Sequence, residues 1–515
     1  MFHSNRSSAL LVGLCILAAA TPFAVSAQEK VEVKMVLPTS AAEWSEAAKL
    51  DIHAAYQETY DNHPGVYDVR NPDFRKSLAR AKEQGLLLAA KVTDAAGHKA
   101  AVERFSVVFQ DGHAGAVSSL DQKTLPALRW PGFVSVWRGD SLYVYASEPG
   151  GPQAGSKITG CDGISMRDLV MRNVFSFRGI ATEPGQWWVR ARQVFYDYGN
   201  PFIELPKTCH FVFEGREGAH ALTWKASNEN FDLWATISYN GDALPVGMTE
   251  PRAKLLWVAM PSFQPNEKER DAYRQLFSDI TTMRQRALNA DALVIDLRHN
   301  QGGSSLWSLQ FAQALWGSDR VTRRMHAYAQ QLEVWWRASK ENTEHVAQMV
   351  AGLKAEKQAE AATYFGAIHT NLQASLARGE TYYVPSAVAN GATTAVKSLD
   401  PKKDRPGDPA AYTKPVYVIV PGQCASACLD ALDVFTRFSN TKLIGAPSAA
   451  DSTYMEVRTK ALPSGMAQVI IPNKMYVNRA RGVGQSYSPA ITVMDIDWST
   501  VNLLKVVEAD LRLKK

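Results

Sequence analysis

PVYVIVPGQCASACLDALDVFTRF, residues 415–438, is the stretch that decides the fold of this chain. An apolar run is followed by small residues and then by apolar positions at helical spacing, which predicts a buried β-strand, a turn and an amphipathic helix. Ser426 lies where the helix begins. The first N–H groups of a helix have no partner within it and carry the positive end of its dipole, so they stabilise negative charge on a serine-bound intermediate. Serine is also a frequent N-cap, and this stretch alone favours the cap.

The composition is that of a packed globular protein with more than one domain. Of the 515 residues, 46% are hydrophobic and 10% are aromatic, and the net charge is +5. A chain of this length forms two or three domains of ordinary size. Basic residues are interspersed with acidic ones, so we expect neither nucleic acid nor an anionic membrane surface as a partner.

The first residues have the pattern of a cleavable secretory signal. Arg6 precedes an apolar stretch from Ala9 to Ala20, and the small residues Val25-Ser26-Ala27 follow. This pattern predicts a signal peptide over residues 1–27, a mature protein that starts at Gln28, and a periplasmic or secreted location. No later apolar run reaches the roughly 20 residues of a membrane span, so we expect no membrane insertion.

Four cysteines remain after removal of this signal: Cys161, Cys209, Cys424 and Cys428. An even number in an oxidising compartment predicts two disulfides. We expect Cys424 with Cys428 around the Ser426 turn and Cys161 with Cys209, although the sequence alone leaves the connectivity open. The alternative is that Cys424 and Cys428 are free small residues in a tight corner. No second Cys or His pair follows at zinc spacing, so we expect no metal.

The patterns along the chain predict an α/β protein of several domains. Residues 28–130 show helical spacing, residues 131–225 show short β runs between glycine and proline turns, and residues 226–515 alternate strand and helix. The alternation predicts parallel strands with crossover helices. A helical insertion over residues 323–380 interrupts the third region. It is either a lid over a cleft or a packing element or dimer surface.

A second turn carries groups suited to acyl transfer. In ALVIDLRHNQGGSS, residues 292–305, a buried strand ends in a turn that contains Gly302 and Gly303. Glycines let backbone N–H groups approach a bound group closely, as an oxyanion receptor requires. The alternative is a turn set by backbone geometry, with Asp296 and Arg298 as a structural ion pair.

A third turn carries a histidine. In FSVVFQDGHAGAV, residues 105–117, His113 follows an apolar run and Asp111-Gly112, which places it at the end of an element. A lone histidine is usually structural or merely exposed. A nucleophilic serine, however, needs a base, and imidazole serves when a third group orients it.

The segment LIGAPSAADSTYMEV with ALPSG, residues 443–465, completes a recognisable order of motifs. IDLRHNQGG, then CASACLDAL, then LIG and ALPSG resemble the C-terminal-processing and tricorn-core serine peptidase family, over roughly residues 227–493. GSKITGCDGISMRDLV, within residues 131–180, resembles the PDZ module of many members. The resemblance implies a crotonase-like β/α catalytic core and a PDZ-like domain.

The resemblance also implies residue roles. Ser426 matches the nucleophile, the N–H of Ala427 matches one oxyanion donor, and the N–H of Gly302 or Gly303 matches the other. No metal or organic cofactor is implied.

The base distinguishes two branches of the family. Asp451 occupies the position where processing-type members have a lysine, so the chain resembles the histidine-type members, with His113 as the base. Those members carry an acid late in the chain, where GVGQSYSPAITV has Ser488 and Ala490. We therefore take Asp451 as the first candidate for the acid that orients the imidazole, and Glu456 as the second.

The sequence thus predicts an exported serine endopeptidase that acts on peptides or unfolded protein segments. The substrate is expected to enter as an extended strand between the core and the middle domain. One alternative is a catalytically weak or inactive peptide-binding scaffold of the same fold, since the usual late acid is missing. Another is a hydrolase of small esters or amides, because the same groups serve any acyl transfer. The oligomeric state stays open.

Overall fold

A computed structural model describes residues 35–385, 403–404 and 410–513. The predicted signal peptide, residues 1–27, lies outside the described residues, so its prediction is not tested. The described chain combines helices with several sheets, which confirms the predicted α/β class. None of the described helices has the length and apolar character needed to cross a membrane.

The described residues form fourteen α-helices, besides short 3₁₀ and π turns. They are α1 (Ala41–Asn62), α2 (Phe74–Ala89), α3 (Ala95–Val108), α4 (Met166–Val170), α5 (Pro184–Arg190), α6 (Glu229–Ile237), α7 (Glu267–Thr282), α8 (Arg284–Asn289), α9 (Leu306–Trp316), α10 (Ser318–Tyr328), α11 (Lys340–Ala355), α12 (Ala359–Ala377), α13 (Ala427–Phe435) and α14 (Thr500–Leu513).

The same residues form nineteen β-strands. They are β1 (Gly115–Ser118), β2 (Arg129–Trp130), β3 (Phe133–Arg138), β4 (Ser141–Ser147), β5 (Lys157–Cys161), β6 (Ile164–Ser165), β7 (Thr208–Phe213), β8 (Arg216–Ala221), β9 (Lys225–Ala226), β10 (Gly247–Arg252), β11 (Leu255–Ala259), β12 (Ala292–Asp296), β13 (Glu333–Arg337), β14 (Tyr382–Tyr383), β15 (Val416–Val420), β16 (Thr441–Gly445), β17 (Tyr454–Ala461), β18 (Ala467–Val477) and β19 (Ile491–Thr492).

A six-stranded sheet forms the centre of the core, in the order β10-β11-β12-β15-β16-β19. From β11 to β19 every neighbouring pair is parallel. Strands β11, β12 and β15 are buried throughout because both faces of the sheet are covered. Parallel neighbours end at the same edge, so the turns after β12 and β15 lie side by side. These are the glycine turn and the Ser426 turn.

The helical N-terminal region is tied to the core through a second sheet. Helices α1 to α3 pack together, and Ser40 closes a capping box with Glu43 at the start of α1. Strand β1, which follows the His113 turn, pairs antiparallel with β18, with Gly115 opposite Ile470. The chain around His113 is thereby joined to strands from the C-terminal half.

The middle region forms an antiparallel sheet in the order β3-β4-β5-β7-β8. A disulfide joins Cys161 on β5 to Cys209 on β7, and the two residues face each other in the strand register. Its aromatic core is continuous with one face of the central sheet. The domain limits drawn from the sequence stay a prediction.

The predicted helical insertion contains a strand as well as helices. Helices α11 and α12 pack against each other as an antiparallel pair, but residues 333–337 form β13 and pair with β18. The β-branched and aromatic residues Val334, Trp335 and Trp336 suit a strand. Residues 333–337 form a strand rather than the predicted helix because they pair with the available edge of β18.

Candidate active site

Ser426 occupies the first position before α13 but does not cap this helix. Its backbone has φ 54° and ψ −126°, and its side chain makes no capping hydrogen bond. Ser40 and Ser339 show what capping serines look like, since both are extended and accept an N–H from the third helical residue. Positive φ is costly for a residue with a Cβ, and such strain is concentrated at functional sites. The structure thus disfavours the simple N-cap interpretation.

Two contacts hold the Ser426 turn in this conformation. A disulfide joins Cys424 to Cys428 across the turn, and both cysteines are fully buried. The backbone N–H of Ser426 donates to Asp451 Oδ1 at 2.9 Å. Because the turn is tied on both sides, the serine side chain is presented in one direction.

The glycine turn packs directly against the serine turn. A Cβ on Gly302 would lie 2.7 Å from the carbonyl oxygen of Ala425 and 3.0 Å from Ser426 Cβ, and Gly302 has φ 113°. Gly303 has φ 128°, and a Cβ there would lie closer still to a backbone atom, 2.2 Å from the carbonyl oxygen of Phe263. Both positions therefore require glycine for space and for backbone conformation.

The two glycine N–H groups are not equivalent. Gly302 N–H donates to Asn300 Oδ1 at 2.9 Å, which occupies it. The N–H groups of Gly303 and Ala427 make no hydrogen bond within the described part of the chain. Of the pair that the sequence left open, Gly303 has the free donor.

Asp296 and Arg298, just before this turn, form the structural ion pair that was the alternative interpretation. Arg298 Nη2 lies 2.7 Å from Asp296 Oδ2, and both residues are buried. Arg298 also donates to the carbonyl oxygen of Trp498, and Trp257 Nε1 donates to Asp296. The charged pair therefore anchors the strand end while the glycines form the turn.

Asp111 connects the turn that carries His113 to the Ser426 turn. Ser452 Oγ donates to Asp111 Oδ1 at 2.8 Å, and Ser452 directly follows Asp451, which holds the Ser426 amide. His113 N–H also donates to Asp111 Oδ1, at 2.9 Å. The imidazole Nδ1 of His113 is buried without a hydrogen-bond partner among the described residues. Two successive contacts thus connect the histidine turn to the serine turn.

Asp451 does not orient His113 as the sequence analysis expected. Its Oδ1 accepts the Ser426 amide, and its Oδ2 lies 3.2 Å from Arg481 Nη1. Glu456, the second candidate, pairs with Lys474 at 3.1 Å. Both carboxylates are turned to other partners, because a nearby guanidinium or ammonium satisfies a buried carboxylate with a full positive charge.

A carboxyl group from the middle region also reaches the site. Glu183, at the start of α5, accepts the N–H of Ala450 at 3.0 Å. Burial raises the pKa of Glu183 to about 7, and the carboxylates of Asp451 and Asp111 add to the rise, while the Ala450 amide opposes it. Sequence reasoning missed this residue, because an acid before a proline at a short helix carries no motif.

An open cavity of about 450 Å³ lies beside these turns. Asp111 and Asp451 form part of its wall, together with the aromatic side chains of Phe74, Phe109 and Tyr454. Space lined by aromatic and polar groups suits a substrate side chain.

The profile of peptidase family S41 matches residues 254–483. This segment contains both the glycine turn and the Ser426 turn. No curated protein sequence matches the chain.

Solved structures with the same fold include two of CPAF. A structure of mature CPAF complexed with lactacystin has a TM-score of 0.60 and 12% identity, and the match covers 92% of this chain and 99% of that one. A second structure of mature CPAF has a TM-score of 0.57 and 11% identity, with 91% and 98% covered. At this identity the likeness concerns the fold alone. The fold extends through nearly the whole of both chains.

The family profile confirms the resemblance that the order of motifs indicated. Residues 254–483 match peptidase family S41, and the chain is a serine-type peptidase.

Proposed function

We propose that this chain is an exported endopeptidase in which Ser426 is the nucleophile and His113 is the base. The observation that carries the proposal is the conformation of Ser426, which has positive φ and an uncapped side chain at a helix start. A strained serine on a sharp strand-to-helix turn places its Oγ outside the fold, where a substrate carbonyl can reach it.

The reaction follows from the groups at these turns. His113 accepts the proton of Ser426 Oγ as the oxygen attacks the scissile carbonyl. The N–H groups of Ala427 and Gly303 are unengaged and belong to turns in contact, so we assign them as the donors to the oxyanion. His113 then gives its proton to the leaving amine, and water releases the acyl group from Ser426 by the reverse sequence.

Peptides or unfolded protein segments are the proposed substrates. The cavity beside the site is large enough for a side chain and is open, as an extended chain requires. Main-chain pairing with a strand edge between the core and the middle region would hold the rest of the substrate.

A fluorophosphonate probe tests the mechanism, because it reacts only with an activated serine. We expect labelling of the wild type and none of Ser426→Ala or His113→Ala. Ser40→Ala is the matched control, since Ser40 is an exposed serine that does cap its helix. It should cost about 1 kcal/mol of stability and leave labelling intact. An unlabelled wild type would instead support the inactive peptide-binding scaffold.

Two further measurements address the substrate and the location. A labelled protein that cleaves small esters but not peptides or unfolded proteins would be the ester hydrolase rather than an endopeptidase.

For export, sequencing the N-terminus of the protein recovered outside the cytoplasm should give Gln28 as the first residue. Recovery only from the cytoplasm with residues 1–27 attached would contradict export.

A further inference from the structure

We propose that Asp111, held by His63, is a positioning residue that fixes the turn carrying His113. The inference rests on the proposed role of His113 as base. Neither residue touches the reacting atoms, so their effect acts through the placement of the imidazole.

Three donors converge on the buried carboxylate of Asp111. Its Oδ2 accepts His63 Nε2–H at 3.0 Å, and its Oδ1 accepts the Ser452 hydroxyl and the backbone N–H of His113. Asp111 is 7% exposed and His63 is fully buried. A carboxylate suits this place because it only accepts, and it can accept on both oxygens.

The proton on His63 has a defined position. Gly65 N–H donates to His63 Nδ1 at 2.9 Å, so Nδ1 is the acceptor and Nε2 carries the proton that is donated to Asp111. The ring lies between Phe74 and Tyr454, with centroids 4.4 and 4.8 Å away. Packing on both sides leaves the ring no other orientation.

The charge on Asp111 is retained inside the fold. Burial raises the pKa of Asp111, but the hydrogen bonds that it accepts from His63 and from the His113 N–H act in the opposite direction, and the pKa lies below its usual range. An ionised carboxylate beside His113 also stabilises the imidazolium that forms during acyl transfer.

The same carboxylate sets the relation between the two reacting turns. Ser452 connects Asp111 to the segment in which Asp451 holds the Ser426 amide. A displaced Asp111 therefore moves the base relative to the nucleophile. A misplacement of about 1 Å is enough to cost about 10²-fold in rate.

The chain contains a matched control for this network. His98 Nε2 lies 2.9 Å from Asp51 Oδ2, both residues are fully buried, and Ser464 donates to Asp51 through its hydroxyl and its N–H. This second His–Asp–Ser set resembles the first in burial and bonding. Its hydrogen bonds run to none of the residues assigned to the site.

The test compares four variants of the full mature chain, Asp111→Asn, His63→Phe, His63→Gln and Asp51→Asn. In Asp111→Asn the side-chain NH2 group of the asparagine would face a group that also donates a hydrogen bond. His63→Phe removes the N–H that donates to Asp111 but keeps an aromatic ring in the same packing. His63→Gln keeps an N–H that can reach Asp111. We expect Asp111→Asn and His63→Phe to lower kcat and the fluorophosphonate labelling rate about 10²-fold with little change in KM.

The rescue variant His63→Gln and the control variant Asp51→Asn distinguish an effect on the position of His113 from an effect on the stability of the fold. His63→Gln should label at least about tenfold faster than His63→Phe, and Asp51→Asn should lose stability but keep its labelling rate. Amide hydrogen exchange over residues 110–118 should rise in Asp111→Asn and His63→Phe only. Equal labelling in all folded variants, with unchanged exchange in this turn, would overturn the inference. An unlabelled wild type overturns the proposed function instead, and the exchange comparison still decides whether Asp111 and His63 fix the turn.

Discussion

Ser426 and Gly302 behave as one structural unit, since each takes a conformation that depends on the other. Ser426 has φ 54°, and the Cα of Gly302 lies so near that an added Cβ would meet the serine turn at 2.7 Å. A pair of turns in such contact leaves no room for adjustment at either residue. Substitution at the glycine should therefore affect the serine.

Gly302→Ala should abolish labelling and destabilise the fold by about 2 kcal/mol or more, because Cβ meets backbone atoms and φ 113° is strained for alanine. Denaturant unfolding and the probe measure the two effects. Gly366→Ala is the control, since Gly366 lies within α12 and its Cβ meets nothing within 4 Å. That variant should gain about 0.5–1 kcal/mol and keep full labelling. Unimpaired labelling of Gly302→Ala would contradict the proposed contact.

At the scale of elements, the parallel arrangement of β12 and β15 creates the site. Each strand ends in a turn with special backbone geometry, and their alignment brings the turns together. The sequence predicted both strand-turn-helix units because their patterns are local. It did not predict β13, since that strand exists only through pairing with β18.

Loss of the Cys424–Cys428 disulfide should have the larger effect on labelling, and loss of the Cys161–Cys209 disulfide should have the larger effect on stability. Replacing Cys424 and Cys428 by Ala should slow labelling about tenfold, because the Ser426 turn loses its brace. Replacing Cys161 and Cys209 by Ala should leave labelling nearly unchanged. The sequence separations of 4 and 48 predict losses of stability of about 2 and about 4 kcal/mol, respectively. Slower labelling in the Cys161 and Cys209 variant alone would contradict this assignment.

At the scale of the whole molecule, the middle region packs directly on the loops beside Ser426. A Cβ on Gly185 would lie 2.4 Å from the carbonyl oxygens of Gly422 and Ser448, so α5 approaches the core closely. Glu183 adds a hydrogen bond to Ala450 at the same contact. The contact therefore contains a buried carboxyl group that titrates near neutral pH.

This carboxyl group predicts a pH-dependent stability. Because the pKa of Glu183 is raised to about 7, protonated Glu183 favours the folded state, and this contribution is lost as the pH rises toward 7 and above. Glu183→Gln should therefore gain about 2 kcal/mol relative to wild type between pH 5 and pH 8. Denaturant unfolding at both pH values measures the difference. Glu217→Gln, an exposed glutamate in the same region, should show none. A difference in unfolding free energy between wild type and Glu183→Gln that is the same at pH 5 and pH 8 would contradict the prediction.

By itself the sequence determined the α/β class, the family and the turns of Ser426, Gly302 and Gly303, because strand patterns, small-residue turns and helix starts are local properties of a chain. Only the tertiary structure decided which partner each buried carboxylate takes. Asp451 turned out to hold the serine amide and Arg481, and Asp111 to join His63. These choices depend on which donors lie nearest once segments 25 to 48 residues apart are packed together, and a local sequence pattern does not specify those distances.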